Sequence, residues 1–585
     1  MSPTQPTPSQ GHHFPFGKAA GRIGILLVLT ATYFVYAPVT RFGFVYDDIF
    51  QIVQNTRLDS WRLIPAYFTQ HFWAHVPGTP ANLYRPLVLI WFFLNNSIFS
   101  HEPWGWHLTT LLVHLLVTGL VFALARRLLL SLWPAMAAAT LFALHPIQVE
   151  SVAWVSSVTE PLCAAWFLAA FLCYLRYREH SMSKLAWLAS LAFYAAALLT
   201  KETAVGLPIL LLGYEYVDRG PSSIAPALRR IWPYFTVLAA YLVLRFEILH
   251  GLAHRISTVP LREALLTLPS VVWFYIRMSV WPLGMSPLYD AHYVYSVASL
   301  RFIAPTLVLL GGTITLGAIR SRGRLNRLWF SVAWFVLTLA PALAAFVAAP
   351  KYEGISDRYL YLPSVAVCLL AGLAIKACSG RPWTMKTAYV GFALLMMTGT
   401  VVIRRQVKIW ENNYSLFQRA VQVAPHNVTA AINLGVELQR RERYNEALVL
   451  AQRGLNEEPD SVNLLSLAGA ASFQLHRYSL AEGFYQRAIH VNPTRGDLYQ
   501  CLAMTQIQLE QYADAATALK QGIAASPDRP GLHYTLGKVL SWRNDWGAAR
   551  DQFRMELALD PENSAVQVAF LQAQAHLQPA VAIHP

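Results

Sequence analysis

Five prolines, Pro425, Pro459, Pro493, Pro527 and Pro561, stand 34 residues apart. Tyr444, Tyr478, Tyr512 and Trp546 keep the same step, as do Ala447, Ala481, Ala515 and Ala549. Gly435, Gly469 and Gly537 share it, with Ala503 in the remaining place. This is the period of the tetratricopeptide repeat, a helical hairpin stacked on copies of itself. Small residues let the two helices of a hairpin approach closely, and each proline ends the second helix and starts the next unit. One hairpin cannot bury its own apolar face, whereas a stack of four can. Four repeats are expected over 428–563, with Trp410–Pro425 as a partial unit at their start and 564–585 as a tail.

The rest of the chain is of another kind. Apolar segments fill it up to about Val402, and after Arg404 polar, helix-forming sequence takes over. Of 585 residues, 55% are hydrophobic and only 13% charged, where a soluble chain carries roughly a quarter charged. That excludes disorder, a fibrous protein and an ordinary cytosolic enzyme, and leaves a polytopic membrane protein. The net charge of +14 would suggest nucleic acid in a soluble chain. Here the excess is expected in cytoplasmic loops, and no nucleic-acid partner is expected. The five cysteines, Cys163, Cys173, Cys368, Cys378 and Cys501, include no CxxC pair, so no zinc site is indicated.

Eleven spans are expected, at about 22–40, 107–126, 132–147, 161–176, 184–200, 203–217, 232–249, 301–319, 328–346, 360–377 and 386–403. Together they make a membrane domain over 22–403, with 1–21 a cytoplasmic tail and 404–427 a connector and partial repeat. Pro86–Phe99 is too short for a span and is expected to be interfacial or re-entrant, as is 262–281. Arg126, Arg127, Arg176, Arg178, Arg229, Arg230, Arg320, Arg322, Arg324, Arg327, Lys376 and Arg381 all fall on the side that holds the N-terminus. That side is therefore cytoplasmic, and the repeats lie outside: periplasmic or exterior in a bacterium, whose inner membrane would carry the chain, or lumenal in a eukaryote. No cleavable signal is apparent, so the first span is expected to act as a signal anchor.

Four groups of ionisable residues then fall on the outer side. Asp47 and Asp48 follow the first span. His145 and Glu150 follow the third, Lys201 and Glu202 separate the fifth and sixth, and Asp357, Arg358 and Tyr359 precede the tenth. Each group has a plain structural alternative: a helix end, a tight turn, or an arginine snorkelling to headgroups. Their meeting on one face is what a membrane-surface active site requires. No GxSxG, HExxH or phosphate-cradling loop is present. Outward carboxylates with cations suit a lipid-phosphate donor: Arg or Lys would hold the phosphate, and an aspartate would deprotonate a hydroxyl.

Asp47-Asp48, His145-Pro146 with Glu150-Ser151-Val152-Ala153-Trp154, Lys201-Glu202 and Asp357-Arg358-Tyr359-Leu360-Tyr361-Leu362-Pro363, followed by tetratricopeptide repeats, resemble the transmembrane and tetratricopeptide repeat-containing O-mannosyltransferase family, in a bacterial-type member. The resemblance implies an all-α chain: a polytopic membrane helical domain of glycosyltransferase C type, then a tetratricopeptide α-solenoid. It implies a polyprenyl- or dolichyl-phosphate sugar as co-substrate and a Ser/Thr acceptor on an exported protein. Separately, the first helices of the repeats are expected to line a groove that recruits this acceptor. The general base carries over to Asp47 or Asp48, with Asp48 slightly favoured, and the donor phosphate to Arg358 and Lys201. His145, Glu150, Glu202, Asp357 and Tyr359 are expected to support them. No metal is assigned. Glycosylation of a lipid or cell-wall glycan remains open, as does a non-catalytic membrane-anchored scaffold. A transporter is a further alternative, without the inverted repeat it would need.

Overall fold

The computed structural model describes residues 16–79, 82–179, 183–220, 224–251, 259–320, 326–349, 354–378 and 382–577. Most of the expected N-terminal tail, the last eight residues, and Arg322, Arg324 and Arg381 of the basic loops lie outside them. The described residues are helical with no strand, and the chain divides into two compact units, Met1–Arg419 and Ala420–Pro585.

Among the described residues of the first unit, seven helices are long and apolar enough to cross a membrane: Ala19–Arg41, Pro103–Leu129, Val155–Glu179, Ile224–Leu249, Leu300–Ala318, Asn326–Ala348 and Trp383–Trp410. They make this an integral membrane protein. Leu132–Ala143 and Pro146–Ala153 form a further apolar pair, bent by 47°. The bend sits at His145, where Pro146 cannot supply the amide that a continuous helix needs. Pro86–Phe99, Lys184–Thr200 and Ser364–Ala377 are shorter apolar helices. The stretch expected as a span at 203–217 is instead a 3-10 turn, Glu202–Gly206, and a 13-residue helix, Leu207–Arg219. The stretch at 262–281 is the helix Leu261–Val280.

The spans differ in what they face. Of the most apolar window of Val155–Glu179, 78% is buried, against none of Leu300–Ala318. The first is the centre of the unit, and the second presents its apolar surface outward, as a lipid-facing helix does. At one end of the central helix Glu215 is fully buried. It accepts the Tyr174 hydroxyl at 2.5 Å, the Arg178 Nε–H, and Arg230 Nη2–H at 2.9 Å, so one carboxylate ties together three helices.

The second unit repeats one hairpin. Its pairs are Val428–Arg440 with Tyr444–Glu457, Val462–Gln474 with Tyr478–Val491, Gly496–Gln508 with Tyr512–Ala525, and Leu532–Trp542 with Trp546–Leu559; Ser564–Leu577 follows. Each second helix stops two residues before a proline of the 34-residue series. The small-residue column sits where helices cross. A Cβ on Gly435 would lie 2.2 Å from Leu467 Cδ2, and one on Gly537 2.5 Å from Phe553 Cε1. The turns within the hairpins use left-handed residues that are not glycine: Glu442, His476, Glu510 and Asn544, with φ of 58–60°.

Candidate active site

The loop after the first apolar helix starts where the 3-10 turn Ala37–Arg41 ends. The chain runs extended to Val45, turns through Tyr46 in a left-handed conformation (φ 54°), and enters a single π-helical turn, Ile49–Val53. This separates the adjacent aspartates. Asp48 is fully buried. Its Oδ2 accepts the Val45 N–H at 3.0 Å, and its Oδ1 accepts the Ser156 N–H at 2.8 Å and the Ser156 hydroxyl at 2.5 Å. Burial pushes its carboxyl up to about 6, against the lowering effect of those hydrogen bonds. Asp47 instead lines a cavity of about 790 Å³, and Asp48 is not among the lining side chains.

The same cavity is lined by Arg358, Tyr359, Lys201 and Glu202. Arg358 is set by Glu150, which is 4% exposed and lies in the short helix Val149–Ala153. Glu150 accepts Arg358 Nη1–H at 2.6 Å, the Arg358 backbone N–H at 3.2 Å and the Ser356 hydroxyl at 2.5 Å. The guanidinium lies 4.9 Å from the Trp154 ring and 5.2 Å from Tyr359. Such a cation is fixed in direction, with part of its surface left to the cavity. Lys201 is more enclosed. Its ammonium pairs with Glu160 and stands 5.1 Å from the Tyr359 ring.

Glu202 is gripped from two sides, by Arg85 at 3.0 Å and Arg245 at 3.1 Å. Burial would raise its carboxyl, but Arg85, Arg245 and Lys201 outweigh that and hold it at about 2. Arg245 also donates to the Asn82 carbonyl at 2.9 Å. Four cations and two carboxylates therefore line this one cavity: Arg85, Lys201, Arg245 and Arg358 with Asp47 and Glu202. Beside them runs an apolar wall including Leu242, Pro341, Ala342, Ala345 and Ala348.

Besides Asp48 and Glu150, His145 and Asp357 also stand off the cavity wall. His145 accepts the Ile147 N–H on Nδ1 at 3.3 Å, and its Nε2 pairs with the Ser279 carbonyl at 3.1 Å, so it organises the bend. Asp357 accepts the Tyr289 hydroxyl at 2.6 Å. Burial, then the neighbouring Glu150 charge, pushes its carboxyl well up. Sequence reasoning missed Arg85, Arg245 and Glu160. The available signal was Arg245, an ionisable residue inside an apolar span, which is expensive without a partner.

A polytopic helical unit thus encloses carboxylates, cations and an apolar wall in one cavity, and a helical solenoid follows it in the chain. The family described as dolichyl-phosphate-mannose-protein mannosyltransferase matches residues 84–247, a stretch that contains Arg85, Glu150, Glu160, Lys201, Glu202 and Arg245. The chain is similar to the protein O-mannosyl-transferase TMTC3 of Mus musculus, 26% identical over an alignment of 453 residues that covers 69% of this chain and 48% of that protein. Tmtc1 of Drosophila melanogaster is 27% identical over an alignment of 524 residues that covers 71% of this chain and 59% of that protein. Tmtc2 of Drosophila melanogaster reaches 36% over a shorter alignment of 192 residues that covers 31% of this chain and 20% of its own. The resemblance read from the sequence motifs is thus borne out. The chain spans about half the length of the curated relatives it matches. Among solved structures, MamA matches at 19% identity and a TM-score of 0.24, covering 26% of this chain and 88% of its own.

Proposed function

We propose that the chain transfers a hexosyl group, most simply mannose, from a polyprenyl- or dolichyl-phosphate donor to a Ser or Thr hydroxyl of an exported protein. The observation that carries this reading is the single cavity that Asp47 shares with Arg358 and Lys201. Asp47 takes the hydroxyl proton as the acceptor oxygen attacks the anomeric carbon. The bond from that carbon to the phosphate oxygen breaks in the same displacement, and the configuration inverts. Arg358, aimed by Glu150, holds the departing phosphate. The apolar wall takes the first isoprene units. Lys201, already paired with Glu160, contributes charge more than a direct bond. Asp48 has its oxygens committed to Val45 and Ser156, which argues for a structural role and gives the base to Asp47. The N-terminus is cytoplasmic and the repeats are outside, where their first helices recruit the acceptor and raise its local concentration.

The two aspartates provide the test. Asp47→Asn should lose about 10²–10⁴-fold in transfer from dolichyl-phosphate mannose to a Ser/Thr peptide, while the protein still folds and inserts. Asp48→Asn should unfold earlier, by about 1–3 kcal/mol, because an amide nitrogen would face the Val45 N–H, donor against donor. An active Asp47→Asn enzyme overturns the assignment.

A further inference from the structure

Tyr46 immediately precedes Asp47, and its left-handed backbone is rare for a bulky residue, whose Cβ crowds the following carbonyl. Such a conformation persists only where surrounding contacts over-determine it. Here those contacts come from the far end of the membrane unit. Asn413 Oδ1 accepts the Tyr46 N–H at 2.8 Å. Phe417 meets the Tyr46 ring edge-on, with centroids 5.4 Å apart. Trp410 stacks on Trp154 at 5.7 Å, and Trp154 in turn lies 5.7 Å from the Tyr46 ring and under the Arg358 guanidinium. Gln406 Nε2 and Arg419 Nε both donate to the Met285 carbonyl, at 3.0 and 3.1 Å. The segment just before the repeats is thus packed on the loop that carries Asp47 and is anchored on both sides of that contact.

We propose that Asn413 is a positioning residue for the transfer reaction: its side-chain oxygen fixes the left-handed turn at Tyr46 that sets Asp47 on the cavity wall. The inference rests on Asp47 being the base. The backbone closes the turn, with the Asp48 N–H donating to the Val45 carbonyl at 3.0 Å, and two side-chain hydrogen bonds brace it. Asp48 does so from inside through the Val45 N–H, and Asn413 holds the Tyr46 N–H from the other side. A rotation of φ at Tyr46 toward the ordinary region carries the Asp47 side chain with it. Removing Asn413's acceptor releases that rotation, so the carboxylate is present but less often in place. A misplaced base lowers kcat and leaves donor binding alone.

Asn413→Leu keeps the branched shape and removes the acceptor, whereas Asn413→Asp keeps an acceptor oxygen. With dolichyl-phosphate mannose and a saturating Ser/Thr peptide, the full chain carrying Asn413→Leu should lose about tenfold in kcat. Its donor KM should stay within about twofold, and Asn413→Asp should keep kcat within about threefold of the parent. If the leucine variant does not fold, Asn413→Ala, which adds no bulk, reads the same loss. An unchanged kcat without the acceptor, equal losses with and without it, or a loss confined to donor KM would each overturn the inference. Asp47→Asn separates the two levels. If it is dead while Asn413→Leu is normal, the base stands and the positioning role falls; if it is active, both fall.

Discussion

The two units are both built from helices, and they treat charge in opposite ways. In the repeats the ion pairs are on the outside: Arg443 and Glu446 pair at 2.6 Å with side chains 41% and 57% exposed. In the membrane unit several pairs are inside: Lys201 and Glu160 are 6% and 2% exposed, and Glu215 has no exposure at all. Burying ions is costly unless each finds partners, and here every such group has them. The difference teaches where to look for chemistry. The solenoid spends its buried positions mainly on close helix crossings, and its buried Glu556 accepts the backbone N–H groups of Gly531 and Tyr534. The membrane unit places charge inside its core, and much of that charge converges on one cavity.

The sharpest way to break that contrast is at Arg358. Arg358→Ala should raise the donor KM by about ten- to a hundred-fold, the worth of a charge-assisted bond to phosphate. Because that change also strands Glu150, Arg358→Lys is the companion variant. It keeps the charge and should recover part of the affinity, although it cannot reproduce the guanidinium's planar geometry. A donor titration unmoved by either change would take Arg358 out of the site.

A smaller effect is expected at a helix crossing. At Gly537 a side chain would run into the Phe553 ring, which is only 2% exposed and has little room to yield. Gly537→Val should destabilise the repeats by about 1–3 kcal/mol, read as faster amide exchange across Leu532–Leu559, with transfer to a short peptide unaffected. Normal exchange would mean that the crossing tolerates bulk and that the small-residue column is not needed there. The smallest effect belongs to the exposed pair. Arg443→Ala should change stability by less than about 1 kcal/mol, and a larger loss in thermal melts would show that surface charge matters in this solenoid after all.

The repeats were legible because they are periodic. Pro459, Tyr478 and Ala481 recur in fixed places, and periodic sequence implies periodic helices whatever lies around them. Even there the sequence was silent on the left-handed turn residues, since Glu442, His476 and Glu510 are not the glycine or asparagine that usually marks one. The apolar runs were legible for a similar reason: a helix in lipid must satisfy its own backbone. Their lengths were less so, and the expected span at 203–217 is broken where Pro208 starts a fresh helix.

The candidate site divides along another line. Which residue types would gather, Asp47, Asp48, Glu150, Lys201, Glu202 and Arg358, could be read from charge standing at the ends of apolar segments, because such charge is too expensive to be casual. What each one does was decided by the tertiary structure. Asp47 and Asp48 are neighbours in sequence and nearly the same in chemistry, and only the left-handed turn at Tyr46, held by Asn413 across 367 residues of chain, puts one on the cavity wall and the other in the core. The same holds for Arg85, which stands just before the helix Pro86–Phe99, and Arg245 of the helix Ile224–Leu249, which meet at Glu202. Periodicity and hydropathy are local properties and survive in a one-dimensional reading. A side chain's direction depends on which distant group satisfies its neighbours, and that is settled only when the chain has folded.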